Sequence, residues 1–390
     1  MSSALDNAVA GAPVLIMAGG TGGHVFPALA IARALRQRNE SVVWLGTERG
    51  LESRVVPADG FPLEQIRVRG LRGKGLLSWL VAPLRVLVAI GDAWRVVRRL
   101  RPKVVLGMGG YTAGPGGLAA WLLRRPLVIH EQNAVAGLTN RLLAGFAREV
   151  LEAFPGSFSA SSTFFGALAG RTRVTGNPVR ADIAALPPPS SRFADRNGPL
   201  RLLVLGGSQG AQALNAAVAP AIALLASQLP PVIRHQAGPA TRGVAEAAYR
   251  GAGVEATVHS FIEDMAEAYG WADVVLARSG ALTVAELAAA GVASILVPFP
   301  AAVDDHQTRN AAWLVDVGAA TLLPQSELTP ARLAAELRPY LDSRGLVLAR
   351  AERARALARP DATATIVERC LAAASGAGRD PRAQRSDADG

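Results

Sequence analysis

The chain of 390 residues has one cysteine, Cys370, is 5% aromatic, and contains no uninterrupted apolar run near the roughly 20 residues needed to span a bilayer. Each shortage excludes something. A single thiol builds neither a disulfide framework nor a cysteine zinc site within one chain, which fits a reducing compartment. Residues Met1–Gly11 lack the basic and apolar regions of a signal peptide, so a soluble or peripheral protein is expected. No G-x-x-x-x-G-K-[ST] loop occurs, because Lys74 follows Gly73 but is succeeded by Gly75, and kinase or ATPase chemistry therefore has no support. Strict G-x-G-x-x-G spacing is also missing: Gly20 and Gly22 are followed by Val25, and Gly107 and Gly109 by Thr112. That weakens a nicotinamide-dependent oxidoreductase reading. The Asp-x-Asp pair that holds a divalent ion on a sugar-nucleotide diphosphate appears only in the tail, at Asp387 and Asp389. No metal site and no cofactor are expected, and any diphosphate must be neutralised by protein groups.

Acid is scarce in the first half. Residues 1–180 hold 22 Lys plus Arg against 10 Asp plus Glu, whereas residues 181–390 hold 19 against 21, so the first half carries the whole excess of the +10 net charge. From Arg67 to Lys103 there are ten basic residues and one acid, Asp92, which points to an anionic partner. A nucleic acid would call for exposed aromatics interleaved with the cations; only Trp79 and Trp94 occur there, within apolar runs. An anionic membrane surface is the better match, and no nucleic acid is expected.

What is present is an alternation of short apolar strands and amphipathic helices, enough for two domains. Strands are expected at Val14–Met17, Ser41–Leu45, Val104–Leu106 and Leu127–Ile129, with a helix from about Val25 to Arg38. The pattern restarts with strand Arg201–Leu205, a helix from about Ala211 to Leu225, and strands Ala256–His259, Asp273–Ala277 and Ser294–Val297. This predicts an α/β fold of two doubly wound parallel sheets. AGGTGGH at Ala18–His24 and LGGSQGA at Leu205–Ala211 each follow a strand and open a helix, as in a tandem of like folds. Pro187–Ser191 looks like the linker, and Ser375–Gly390 has almost nothing to bury.

Glycine-rich turns after strands place backbone N–H groups and a helix N-terminus where a phosphate or diphosphate can sit. Three occur, at Gly19–Gly23, Gly107–Gly117 and Gly206–Gly210, and a fourth strand-to-helix junction carries Ser279 and Gly280. The plain alternative is that glycine only permits tight strand-to-helix packing. Helix N-termini at Ser208 and Ala281, with Arg180 as a cation, could neutralise a diphosphate without metal. Glu286 could accept both hydroxyls of a ribose, but its spacing alone favours an ordinary helix-face acid. Asp304-Asp305-His306-Gln307 opens another helix, which its polar groups are expected to cap, with contact to a sugar as the alternative. His24 sits at a helix start, where the dipole favours a neutral imidazole able to take a hydroxyl proton. His130, His235, His259 and His306 end strands or enter loops, as structural histidines commonly do.

Taken together, MAGGTGGHVFPALAIA, GMGGYTAGPGGLAA, HEQNAVAGLTNRLLA, TGNPVR, LGGSQGAQALN, RSGALTVAELAAAG and VDDHQTRNAAWL closely resemble the MurG family of N-acetylglucosaminyltransferases, in the family's order from Met17 to Leu314. The resemblance implies a GT-B architecture: two Rossmann-like domains facing across a cleft, residues 1–180 taking a lipid acceptor at the membrane and residues 181–374 taking the UDP-sugar, the last helix packing back on the first domain and 375–390 forming a tail. It implies inverting transfer of N-acetylglucosamine from UDP-N-acetylglucosamine to the 4-hydroxyl of an undecaprenyl-diphosphate-linked muramyl peptide, at the cytoplasmic face of the bacterial membrane, with cell-wall or division proteins as further partners. By similarity, Thr21, Gly22, Gly23 and Asn133 border the cleft and Arg180 lies near the domain junction, all five expected among the UDP-N-acetylglucosamine contacts. The donor would meet Ser208, Ile262, the run Ala281, Leu282, Thr283, Val284, Ala285 and Glu286, and Gln307, with Glu286 on the ribose and Gln307 on the sugar. Two departures from the family pattern are Ala136, where proline is usual, and Thr112-Ala113, where Val-Ser is commoner. His24 is the nominated general base, with positioning of the acceptor as its other role. A galactolipid synthase would share the donor motifs but take diacylglycerol. Finally, Leu76–Ile90 is an apolar run broken by Ser78, Pro83 and Arg85 and flanked by Arg67, Arg69, Arg72, Lys74 and by Arg95, Arg98, Arg99, Arg101, Lys103, too short to span but suited to an interface.

Overall fold

The computed structural model describes residues 11–68, 76–158, 171–207, 211–225, 229–302 and 305–376. They fall into two compact units, Met1–Pro178 with Asp361–Gly390, and Val179–Pro360. In the first unit, β1 (Val14–Met17), β2 (Val42–Gly46), β3 (Leu63–Gln65), β4 (Val104–Gly107), β5 (Leu127–Glu131), β6 (Glu149–Glu152) and β7 (Thr172–Val174) form one parallel sheet in the order β3-β2-β1-β4-β5-β6-β7. Its central strands read as unbroken apolar runs because both faces are covered. Val14, Ile16, Val104 and Leu106 pack on one face with Ala28, Ile31 and Leu35 of the helix Gly22–Gln37 and with Ile366, Val367 and Cys370 of the helix Ala362–Ser375. Leu15, Met17, Val105 and Ile129 point the other way, toward Ala93 and Val97 of the helix Leu76–Leu100 and Ala119 of the helix Ala113–Leu122. The alternation is the two-residue period of a strand, and each fully buried aliphatic side chain contributes about 1.5–3 kcal/mol.

The second unit repeats the plan. β8 (Arg201–Leu205), β9 (Val232–Gln236), β10 (Thr257–His259), β11 (Val274–Ala277), β12 (Ala293–Leu296) and β13 (Ala320–Leu322) form a parallel sheet in the order β10-β9-β8-β11-β12-β13. In each unit the first strand lies mid-sheet, the next two extend to one side and the fourth returns to the other. Strand order therefore reverses between β1 and β4 and again between β8 and β11, and the crevice beyond the carboxyl ends of such strands is where this fold binds ligands.

Several boundaries differ from the sequence reading. The first helix starts at Gly22, three residues before Val25, because Thr21 is extended (φ −105°, ψ 159°) and the glycines themselves form the first turn. Pro187–Ser191 is not a free linker. Pro189 opens the short helix Pro189–Phe193, and the Arg192 guanidinium donates to the carbonyls of Tyr269, Ala290 and Gly291, which ties this segment into the second unit. The units part at Pro178 and Pro360 instead. Strands β3, β6, β7, β9 and β13 carry weaker apolar patterns; β7 is exposed along its length. Ser208, Arg69, Arg72, Lys74 and Asp304 lie outside the described residues, as do the tail beyond Gly376 and the side chains of Leu76, Leu77 and Trp79.

Candidate active site

In the first unit, β1 runs into the turn Ala18–Gly23. Gly20 has φ +94°, Gly109 +89° and Gly110 +83°, and a Cβ on Gly110 would collide with the Gly19 carbonyl, so the turns after β1 and β4 lie backbone against backbone. The amide of Gly20 does not face outward for a phosphate, as a simple anion-loop reading expects. It donates to Glu52 Oε2 at 3.1 Å, while Thr47 N and Oγ1 donate to Glu52 Oε1 at 3.0 and 2.7 Å. Glu52 is wholly buried, so a carboxyl group of the protein itself occupies the place beside this turn. Gly22 and Gly23 are the first two residues of the helix and precede its first internal hydrogen bonds. His24, third in the helix and half-buried, rests its ring on Gly109, where a Cβ would stand 3.1 Å from ring atoms.

His24 Nδ1 lies 2.8 Å from Gln132 Oε1. Gln132 Nε2 is 3.1 Å from both the His130 carbonyl oxygen and His130 Nδ1, and His130 Nε2 is 3.0 Å from the Gly176 carbonyl oxygen. His130 is fully buried, and loss of water pushes its imidazolium down to about 4. Next to it, Glu131 gathers the loop that follows β5: its carboxylate accepts from Asn133 N and Nδ2 at 3.0 and 3.2 Å, from Gly137 N at 3.0 Å and from Asn140 Nδ2 at 2.8 Å. Thr21, Gly22, Gly23, His24 and the Asn133 loop thus share the carboxyl end of this sheet.

In the second unit, the helix Ala281–Ala290 begins after β11 at Gly280, and Ser279 is buried with no partner for its hydroxyl. Glu286 is not a solvated helix-face acid. It is buried, Tyr269 Oη donates to its Oε2 at 3.0 Å, and Arg180 Nη2 lies 3.5 Å from its Oε1. Burial raises the pKa of its carboxyl above the usual carboxylate range, and the Arg180 charge and the Tyr269 hydroxyl act against that rise. Ala281, Leu282, Thr283 and Ala285 line the same helix. Val284 has its side chain in the core, and its amide donates to the Gly280 carbonyl. Gln307 sits in the first turn of the helix His306–Val315, its Oε1 taken by the Phe299 amide at 2.8 Å, which turns its Nε2 donors away from that backbone. Asp305 precedes that helix with φ +50° and, without capping a backbone amide, accepts from the Thr308 hydroxyl at 2.6 Å. Ile262 is half-buried between β10 and the helix Met265–Trp271.

Glu52, Glu131, Gln132, His130 and Tyr269 were not singled out as site residues by the sequence. For His130 and Gln132 a signal existed, since residues two apart at a strand end face the same way.

Residues 14–152 match the glycosyltransferase family 28 N-terminal domain and residues 201–366 its C-terminal domain. The first match runs from the start of β1 to the end of β6, and the second begins with β8. A Marinobacter nauticus protein named UDP-N-acetylglucosamine–N-acetylmuramyl-(pentapeptide) pyrophosphoryl-undecaprenol N-acetylglucosamine transferase is 55% identical over 93% of this chain and 98% of its own length. One of the same name from Alkalilimnicola ehrlichii is 58% identical over 92% and 98%. The crystal structure of Acinetobacter baumannii MurG is 42% identical, with a TM-score of 0.79, over 93% of this chain and 99% of that one. The chain belongs to the MurG family of glycosyltransferase family 28. As a family member it has the two-domain GT-B α/β fold, with one parallel sheet in each domain. The family match spans both units, so the His24 turn and the Glu286 helix both fall within matched segments.

Proposed function

We propose that this chain transfers N-acetylglucosamine from UDP-N-acetylglucosamine to the 4-hydroxyl of the muramyl sugar on an undecaprenyl-diphosphate-linked peptide, with inversion at the anomeric carbon. The observation that carries this reading is the near full-length identity to relatives named for that transfer. In a single displacement, the acceptor oxygen bonds to the anomeric carbon as the bond to the UDP phosphate oxygen breaks. The hydroxyl proton goes to His24 Nε2, and the leaving diphosphate takes the electron pair. A carboxylate has about four lone-pair sites, so Glu286 can hold Tyr269 and Arg180 and still accept two ribose hydroxyls. The N-terminus of the helix Ala281–Ala290 and the half-exposed Arg180 favour the diphosphate, and the Gln307 amide donates to the sugar. Purified protein given radiolabelled UDP-N-acetylglucosamine and a polyprenyl-diphosphate muramyl peptide should form labelled disaccharide-lipid. Preferred use of diacylglycerol as acceptor, or of UDP-galactose as donor, would instead indicate a galactolipid synthase.

The acceptor's lipid anchor requires a route to the bilayer. Among the described residues no helix is long and apolar enough to cross a membrane. The first unit does expose apolar side chains on three helices that pack in succession, Leu76–Leu100, Ala113–Leu122 and Leu138–Ala144. Leu84 is 62% and Leu87 64% exposed on the first, Trp121 and Leu122 are exposed on the second, and Leu138 and Leu142 on the third. The basic flank is partly neutralised. Arg67 and Arg95 share Asp92, Arg99 pairs with Glu64, and Lys103 pairs with Glu40. Arg67, Arg95 and Arg99 stay exposed, and water screens such pairs enough to leave these cations available to lipid phosphates. Peripheral binding to the anionic cytoplasmic leaflet follows, each cation close to the surface adding roughly 1 kcal/mol. Leu84→Ser with Leu87→Ser should lower partitioning onto anionic vesicles about tenfold or more, and salt should lower it further. Unchanged sedimentation of a folded double variant with those vesicles would place the docking face elsewhere.

A further inference from the structure

We propose that Gln132 and His130 are positioning residues that fix the tautomer of His24, holding its proton on Nδ1 so that Nε2 presents the lone pair. The inference rests on the reading of His24 as the base. It follows from two backbone carbonyls, whose roles no tautomer can alter. The Gly176 oxygen only accepts, so His130 Nε2, 3.0 Å away, must carry the hydrogen. His130 is buried and stays neutral, so its Nδ1 holds a lone pair and needs a donor. Gln132 Nε2 supplies one at 3.1 Å. The same amide nitrogen faces the His130 carbonyl oxygen at 3.1 Å, and this oxygen also only accepts. Two independent constraints thus orient the Gln132 amide the same way, with Oε1 toward His24. At 2.8 Å from that oxygen, His24 Nδ1 must be the N–H.

The chain Gly176 to His130 to Gln132 to His24 carries one sense of donation through three elements, and its end is anchored. Asn177 Nδ2 donates to the Gln132 carbonyl at 2.9 Å, Thr175 Oγ1 donates to the Gly176 carbonyl at 3.2 Å, and Gly109 packs against the His24 ring. The opposite tautomer would set two lone pairs against each other across that 2.8 Å contact, a preference of about 10- to 100-fold for Nδ1–H. An imidazole free in water leans toward Nε2–H, which would leave the catalytic nitrogen protonated and unable to accept. Gln132 therefore matters to turnover without touching substrate.

The test is a long-range 1H–15N spectrum of the full chain labelled at its five histidines, with the His24 signals identified by their loss in His24→Gln. Wild type should show His24 with its proton on Nδ1 and His130 with its proton on Nε2. Gln132→Leu should shift His24 toward Nε2–H and lower kcat about 10- to 100-fold, with KM for UDP-N-acetylglucosamine nearly unchanged. An Nε2–H tautomer of His24 in wild type, a His130 proton on Nδ1, or an unshifted His24 in Gln132→Leu would overturn the proposal. Should that variant not fold, the wild-type spectrum decides alone. If the tautomers are as stated but His24→Ala keeps its turnover, the relay stands and the base assignment falls.

Discussion

Replacing His24 with alanine is expected to lower kcat by about 10²- to 10⁴-fold, the usual contribution of a positioned general base. UDP affinity should stay within about threefold, because the groups assigned to the nucleotide lie on the second unit. The split between kcat and KM carries the assignment. A base acts on the acceptor hydroxyl only in the transition state, whereas a group that merely bound donor would raise KM with kcat intact. The variant should fold. The His24 ring is only half-buried, and its loss strips Gln132 Oε1 of one donor, a cost of about 1–3 kcal/mol at most. Steady-state kinetics beside UDP calorimetry decide the matter, and turnover within a few-fold of wild type would remove the base role.

How much of this was legible in the sequence varies from element to element. The central strands were, because a strand buried on both faces leaves an unbroken apolar run, as at Val14–Met17 and Arg201–Leu205. The edge strands β3 and β7 were not, since partial exposure erases the pattern. Glycines were legible as special, but not for which reason. Gly110 answers to the approach of the Gly19 carbonyl, and Gly20 gives its amide to a buried carboxylate that stands 32 residues away in the chain. Spacing could not reveal that pairing. It also misjudged Glu286, since a helix of alanines and leucines does not say which of its faces meets a tyrosine hydroxyl. The buried polar residues His130, Gln132 and Glu131 were visible as letters of one motif. Their roles follow from hydrogen-bond directions, which only three-dimensional contacts with Gly176 and His24 establish.

Glu286→Ala should weaken UDP binding about 100-fold or more, and Glu286→Gln by less. A ribose diol donating to a carboxylate forms charge-assisted hydrogen bonds, each worth about 1.5–3 kcal/mol net, and the neutral amide keeps one acceptor without the charge. The two substitutions also differ in what they leave behind. Alanine strands the buried Tyr269 hydroxyl and frees Arg180, a loss of about 1–3 kcal/mol of stability, whereas glutamine can still accept from Tyr269 Oη. Binding and folding effects therefore separate across the pair, provided melting curves accompany the calorimetry. The sharper measurement uses 2′-deoxy-UDP beside UDP. Wild type should prefer UDP by the worth of one such bond, and Glu286→Ala should bind both alike, because the group that read the missing hydroxyl has gone. If the folded alanine variant still prefers UDP to its deoxy analogue by the wild-type factor, the ribose is held by another residue and Glu286 only anchors Arg180 and Tyr269.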